Sequence, residues 1–466
     1  MAGFRAAGSA ALALLGFTLY QSFWSTGIVY GWPSLLNLLQ SEGVYGGRCS
    51  GSESCPERVL AFNLVFSVGG ATNVSGGVFC GFLVDCCGPK GGMLTGLVLI
   101  LVGSLLLGLA DVDNDWAWPL AYVFYGLGGC CVHLSSFSLG NAFGSRKGLV
   151  ISMLVSVFSI SSLAFQGFDL AYRAGLSRSA ILMVHVGIEA VNIVLSGWLW
   201  PREAITPGAQ LKFSGCRVVQ DGAAEKTLHG KMAPRELCRH ALRAVCTWKF
   251  GAFLAFHFSQ LFLNRCLMGW MEAELRWKSD VLESSRGSGL NVEMHLAIFN
   301  TLQAAAGFIA IPFFGFLVAR FGHRHAPFCA TAALAVLYLS IRPLPYEWML
   351  PVLYIVSAVH RQMFFSTFFT YVSSEYPPQF FATLSGMANV LAGLGTFLQN
   401  PWLEAVLRRG DFAAPLLLQA GFAVLVLLGT IIAWCNASRS KPSEPEVHED
   451  APALPETASG KMAISL

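Results

Sequence analysis

One arginine stands alone in a long apolar stretch of this sequence. Arg361 follows His360, and no acid lies between positions 348 and 374 to neutralise it. Counted inward from Trp348 it is about 13 residues along, or roughly 20 Å at helical rise. A guanidinium held that deep presents a planar fork of donors, suited to a carboxylate or to the edge of a planar base. The other reading is a brace, with the charge met by a carboxylate from another segment or by helix-end carbonyls. Arg265 is a second cation in apolar surroundings, about one and a half turns from the outer end of its segment, where its stem can carry the charge out to water. Glu189 and His185, one turn apart on one helical face, are either a proton-relay pair or a structural pair. Ser152, Ser156 and Ser159 also share a face, where hydroxyls line a pore or bond back to their own carbonyls. Gln166 and Gln303 are uncharged polar groups able to hold helices together. No Ser-His-Asp set, phosphate loop or HExxH motif occurs, so these residues point to solute recognition. An enzyme, a cofactor and a metal site are not expected.

The elements that must position them are membrane helices. Apolar residues make up 54% of the 466 and charged residues only 12%, a balance that no water-soluble domain of this size shows. At about 20 residues per span the chain has room for about twelve crossings. Spans are read near 10–32, 58–83, 93–110, 118–143, 149–171 and 179–200. The second set lies near 246–271, 294–318, 326–341, 348–372, 383–403 and 413–435. Lys and Arg concentrate in the N-terminus, the even-to-odd loops and the tail, which places both termini in the cytoplasm. The start imitates a secretory signal, yet no charge interrupts 6–41, far longer than a cleavable core. Basic residues of the central loop have no aromatic interleaving, so nucleic acid is not a partner. Cys49 and Cys55 share the first outer loop and could pair on an oxidising face.

The plan is doubled. Gly81, Asp85, Gly88 and Lys90 stand at spacings of four, three and two after an apolar run, and Gly315, Ala319, Gly322 and Arg324 repeat them. Each set closes one span and opens the next through a tight, basic turn. Pro119 and Tyr122 recur as Pro351 and Tyr354. The predicted architecture is therefore an all-α membrane protein of twelve helices in two pseudo-symmetric six-helix bundles, 1–200 and 246–435. Residues 201–245 read as a cytoplasmic linker, in which 234–245 forms a basic amphipathic helix or an ordinary loop. Residues 436–466, rich in Pro, Glu and Ser, read as a disordered tail.

Gly81 to Lys90, GFLVDCCGPK, resembles the loop between helices two and three of the major facilitator superfamily, and GFLVARFGHR at 315–324 resembles its partner between helices eight and nine. Further segments are similar to a narrower branch, the sodium-independent, system-L-type neutral amino acid transporters, which includes an equilibrative nucleobase carrier. They are Gly31-Trp32-Pro33-Ser34-Leu35, Gly140-Asn141-Ala142-Phe143-Gly144, Pro201-Arg202, His360-Arg361-Gln362, 376–381 and 398–401. The resemblance implies facilitated movement of a neutral, large amino acid by alternating access, as a monomeric uniporter in the plasma membrane. In that reading Arg361 receives the substrate carboxylate. Ser156 and Ser159, with the first-span wall near Tyr20 and Ser25, add polar contacts. Phe158 and Phe299 hold a side chain, and Gln303 and Arg265 complete the substrate set. Gly81, Asp85, Gly88, Lys90, Gly315, Gly322 and Arg324 form the conformational gate, Asp85 capping a helix end across the halves. The alternatives are a purine nucleobase facilitator, a proton-coupled symporter using Glu189 and His185, and a receptor that binds without flux.

Overall fold

The computed structural model describes residues 8–48, 56–206, 209–214, 217–221, 234–287, 289–305, 307–377, 381–396 and 399–439. A Cys49–Cys55 bridge and the state of the tail past 439 lie outside the described residues.

The chain is helical because a bilayer offers backbone amides no water, so each segment must satisfy its own hydrogen bonds. The first half runs α1 (Gly8–Ser25), α2 (Trp32–Ser41), α3 (Pro56–Ser75), α4 (Gly77–Leu109), α5 (Ala117–Ser136), α6 (Lys147–Ser161), α7 (Ala164–Arg173) and α8 (Arg178–Leu199). A small antiparallel hairpin follows, β1 (Gln210–Ser214) with β2 (Arg217–Asp221), paired from Gln210↔Asp221 to Ser214↔Arg217. This is the one departure from an all-helical chain among the described residues. Next come α9 (Pro234–Val245), which is the helix the basic pattern allows, and α10 (Trp248–Arg286). The second half continues with α11 (Val292–Ala305), α12 (Gly307–Phe321), α13 (Ala326–Ile341), α14 (Leu350–Glu375), α15 (Phe381–Thr396), α16 (Gln399–Arg409) and α17 (Ala413–Arg439).

By length and composition alone, four described stretches are apolar enough to cross a membrane: Gly77–Leu109, Ala117–Arg173, Arg178–Leu199 and Ala413–Asn436. A bent pair, Met294–Ala305 with Ala310–Phe321 at 41°, makes a fifth. Others, such as Ala326–Ile341 and Phe381–Ala392, are apolar but shorter, and the first span is broken. Helix α1 stops at Ser25, and a 3-10 turn, Ile28–Gly31, leads into α2. The first span is thus not continuous to Trp32. A Cβ on Gly27 would lie 1.9 Å from the Phe158 carbonyl oxygen, so only glycine lets the broken helix touch α6 there.

The doubled turn is visible in the backbone. Gly88 (φ 80°) and Gly322 (φ 79°), its equivalent, both take the left-handed conformation. Gly81 and Gly315 are equivalent in a second way, since each lies against the opposite half. A Cβ on Gly81 would meet the Ala382 oxygen of α15 at 2.2 Å, and one on Gly315 would meet Leu149 Cδ1 of α6 at 2.7 Å.

The halves are joined at the end of the molecule that carries these turns. Asp85 accepts the backbone N–H of Ala382 (3.2 Å) and of Thr383 (2.7 Å), the open amides at the start of α15. Lys147 donates to the Ser373 carbonyl, and Ser152 meets Gln362 and Ser366. One apolar cluster contains first-half residues together with Phe250, Phe253, Phe368, Phe369, Val372 and Phe381. Toward the far end the second half keeps its own cluster, from Leu263 and Leu275 to Tyr338 and Tyr354. No far-end hydrogen bond or ion pair joins the halves among the described residues. We expect Gly81→Val to spread the turn end. In a Lys147→Cys/Ser373→Cys background, oxidative crosslinking should fall several-fold when Gly81→Val is added, and an unchanged yield would remove the role given to this contact.

Candidate functional site

Arg361 lies mid-way along α14, 26 residues long. Its neighbour His360 is fully buried, and the His360 imidazole meets Gln260 Oε1 of α10 at 2.8 Å. That bond fixes α14 against α10 and turns the next position, Arg361, away from the second-half core. Arg361 is half-buried and has no hydrogen bond or ion pair among the described residues. Two groups lie within electrostatic reach, Tyr30 from the first half and Arg265 from α10. The guanidinium therefore occupies the cleft between the halves. Tyr30 stands just past the break in α1, where its hydroxyl donates to Asn73 Oδ1 (3.1 Å), while Asn73 donates to the Gly126 carbonyl (3.1 Å). The Tyr30 ring lies 5.7 Å from Phe158, whose ring lies 4.5 Å from His133.

One turn nearer the turn end, the cleft has a floor. Gln362 donates to the Ser152 carbonyl (3.1 Å), and Ser366 Oγ meets Ser152 Oγ (3.2 Å). Phe369 stacks on Phe137 at 4.1 Å and meets His133 edge-on at 5.6 Å. Toward the far end no such layer occurs among the described residues. Arg361 thus lies between the halves, just above the layer that joins them.

The structure brings together Arg361, Arg265 and Phe158 from the residues singled out in the sequence. It separates the rest. Ser25 is fully buried and bonds to Glu189 Oε1 (2.9 Å), inside the first half and away from the cleft. Tyr20 is 50% exposed, on a different face of α1 from Ser25. Phe299 is buried in the second-half core, 5.4 Å from the Tyr354 ring, and Gln303 is buried there and donates to Ser357 Oγ (3.0 Å). Ser156 is buried and bonds back to the Ser152 carbonyl (2.8 Å), and Ser159 points back to Val155 (3.5 Å). In this arrangement these serines hold α6 together. The gating set is split between two jobs. Asp85 caps α15, Lys90 donates to the Gly197 carbonyl at the end of α8, and Arg324 Nε bonds Glu375 (2.6 Å). Ala319 cannot repeat the cap that Asp85 makes.

Two buried clusters explain other charges. Glu189 accepts from Ser25 and from Asn192 (3.3 Å), and His185 joins Ser104 (2.9 Å) and the Trp24 carbonyl (3.1 Å). The pair is a tie between α8, α4 and the broken end of α1. In the second half Arg342 bonds Glu274 (2.6 Å), Gln419 (2.7 Å) and the Cys266 carbonyl (3.2 Å), while Lys278 meets Glu274 at 3.0 Å. All four side chains of this set are buried. Sequence reading missed this cluster, although Glu274 and Lys278 at i and i+4 on one helix were its signal.

A sequence model of the Major Facilitator Superfamily matches residues 12–399. The human protein named Large neutral amino acids transporter small subunit 3 is 24% identical over 210 residues, 42% of this chain and 38% of that protein. The Equilibrative nucleobase transporter 1 of Bos taurus is 22% identical over 186 residues, 38% of each chain. The aligned stretch thus spans under two fifths of these relatives' length. The crystal structure of the E. coli fucose:proton symporter superposes with a TM-score of 0.61 over 91% of this chain and 99% of that one, at 13% identity. That similarity is one of fold.

At the turn end, past the membrane-spanning part of α14, Glu375 is bound by His323 (2.7 Å) and Arg324. Chiefly the His323 hydrogen bond, and then the Arg324 charge, hold its carboxyl down from 4.5 to about 2. A depressed carboxyl stabilises the fold above its unfolded value and loses that contribution as pH falls through the folded one. The melting temperature should therefore drop between pH 4.5 and about 2. Glu375→Gln should lose about 1 kcal/mol at pH 7, given the exposed partners, and show a shallower acid limb. An equally steep acid limb in the variant would show that this clamp is not what responds.

Proposed function

We propose that this chain, which belongs to the Major Facilitator Superfamily and is an integral multi-pass membrane transporter rather than an enzyme, moves a neutral, large amino acid by uniport. The observation that carries the reading is the unpaired, half-buried guanidinium of Arg361 at the floor of the inter-half cleft. A charge left unmatched in such a place is costly, and a carboxylate that enters the cleft removes the cost. The name of the aligned human relative supports an amino acid as the bearer of that carboxylate. Phe158 and the Tyr30 ring offer an apolar wall for its side chain.

Transport in this reading is a rocking of 1–200 against 246–435, joined by the linker at 201–245. Both termini are cytoplasmic, the turn end is the inner gate, and the membrane is the plasma membrane. The protein works as a monomer. Cargo enters from the far side, reaches Arg361 and lets the gate at Asp85, Lys147 and Gly81 part. Gly88, Gly322 and Arg324 shape the turns that move with it.

A second reading is favoured by the rings beside Arg361. A planar nucleobase would stack on Tyr30 or Phe158 and bond its edge to the guanidinium, as the name of the bovine relative would suit.

Arg361→Ala should cut labelled leucine uptake roughly 10- to 100-fold at unchanged surface expression, the equivalent of a lost charge-assisted bond of about 1.5–3 kcal/mol. Normal uptake by that variant would remove the assignment. In the amino acid reading labelled leucine is taken up and excess adenine leaves that uptake intact; in the nucleobase reading labelled adenine is taken up and excess leucine leaves that uptake intact.

A further inference from the structure

The cleft holds two cations. Arg265 is half-buried on α10, five residues beyond the Gln260 that binds His360, and lies within electrostatic reach of Arg361. Among the described residues neither guanidinium has a hydrogen bond or an ion pair, and five described acids of the bundle are bound to other groups. On α10 itself Glu274 is shared by Arg342 and Lys278. Glu189 on α8 is bound by Ser25 and Asn192. Asp85 caps α15, Glu375 binds His323 and Arg324, and Glu42 binds Arg178. A neutral amino acid would bring one carboxylate and its own ammonium. It would leave the surplus of positive charge in the cleft as large as before.

We propose that Arg265 receives a second anionic group, bound beside the one on Arg361. With a neutral amino acid as cargo this group is a small inorganic anion from solution, and with a dicarboxylate cargo it is the second carboxylate. The proposal rests on the reading of Arg361 as the residue that receives cargo. Two like charges in surroundings of low dielectric repel, and an anion bound between or beside them relieves that repulsion. The walls need no acid, because the charge balance is completed by what binds.

The melting temperature of the purified full chain in detergent tests this without transport. Chloride is titrated against isethionate at constant ionic strength. Wild type and Arg265→Lys should gain several degrees along a saturating curve, and Arg265→Gln, checked for folding by gel filtration, should gain none. Succinate forms the second arm. A response to succinate with none to chloride, again lost in Arg265→Gln, assigns both anionic groups to the cargo. No response to either anion, or a chloride response unchanged in Arg265→Gln, overturns the proposal. Leucine uptake that depends on Arg361 without any anion response would do so and leave the amino acid reading standing. An anion response with no leucine uptake would have the opposite effect.

Discussion

A charge inside a helical membrane bundle must be matched, and the way this protein matches its charges organises both halves. Each buried acid has partners close by: Glu274 two cations, Glu189 three neutral or weakly basic donors, Asp85 two backbone amides. Those pairings fix α13 and α17 on α10, α8 on the end of α1, and α15 on α4. What is left unmatched is equally informative. In the proposed reading Arg361 and Arg265 are completed by what binds between the halves. A brace and a binding site differ in whether the counter-charge belongs to the chain, and here the chain has assigned its acids elsewhere.

The two turns share a backbone and differ in chemistry. Equivalent glycines take the left-handed conformation and equivalent glycines touch the opposite half. Yet the first turn closes by an aspartate on helix amides, and the second by a surface ion pair between Arg324 and Glu375 with His323. A carboxylate at the amide end of a helix gains from the helix dipole, and Asp85, partly buried between the halves, is screened less than a surface charge. A partly exposed ion pair is worth less and is screened. Of these two contacts the first spans the halves and the second stays within the second half, so the proposed gate has a symmetric frame and unequal bonds.

Much of this was legible in the sequence because it rests on spacing. The doubled turn needed only the order of glycines and cations, and Arg361 only the absence of acids around it. For 234–245 the basic stripe leaves helix and loop both open, and the structure has the helix. Facing direction was not legible. Ser25 looked like a wall residue because nothing local reveals that Glu189, far along the chain, takes its hydroxyl. Phe299 reads as an apolar neighbour of the cargo, while the rotation of α11 turns it toward Tyr354. Tyr30 was passed over since the first span was read as unbroken through Trp32, and the Gly27 break that lets Tyr30 reach the cleft is set by contact with Phe158. Glu274 and Lys278 were lost by ending the seventh span at 271, when its helix runs on to Arg286.

At the turn end the main chains of α4 and α15 meet with nothing between them. A Cβ on Gly386 would lie 2.0 Å from the Gly77 oxygen, and one on Gly77 would lie 3.2 Å from the Gly386 Cα. A seam of bare backbone has no rotamers to sort when it re-forms, so resealing carries none of the side-chain entropy loss that an interlocked seam of leucines would carry. Such a joint closes in one way and opens without disentangling, which suits the proposed parting and rejoining of the halves there in each transport cycle.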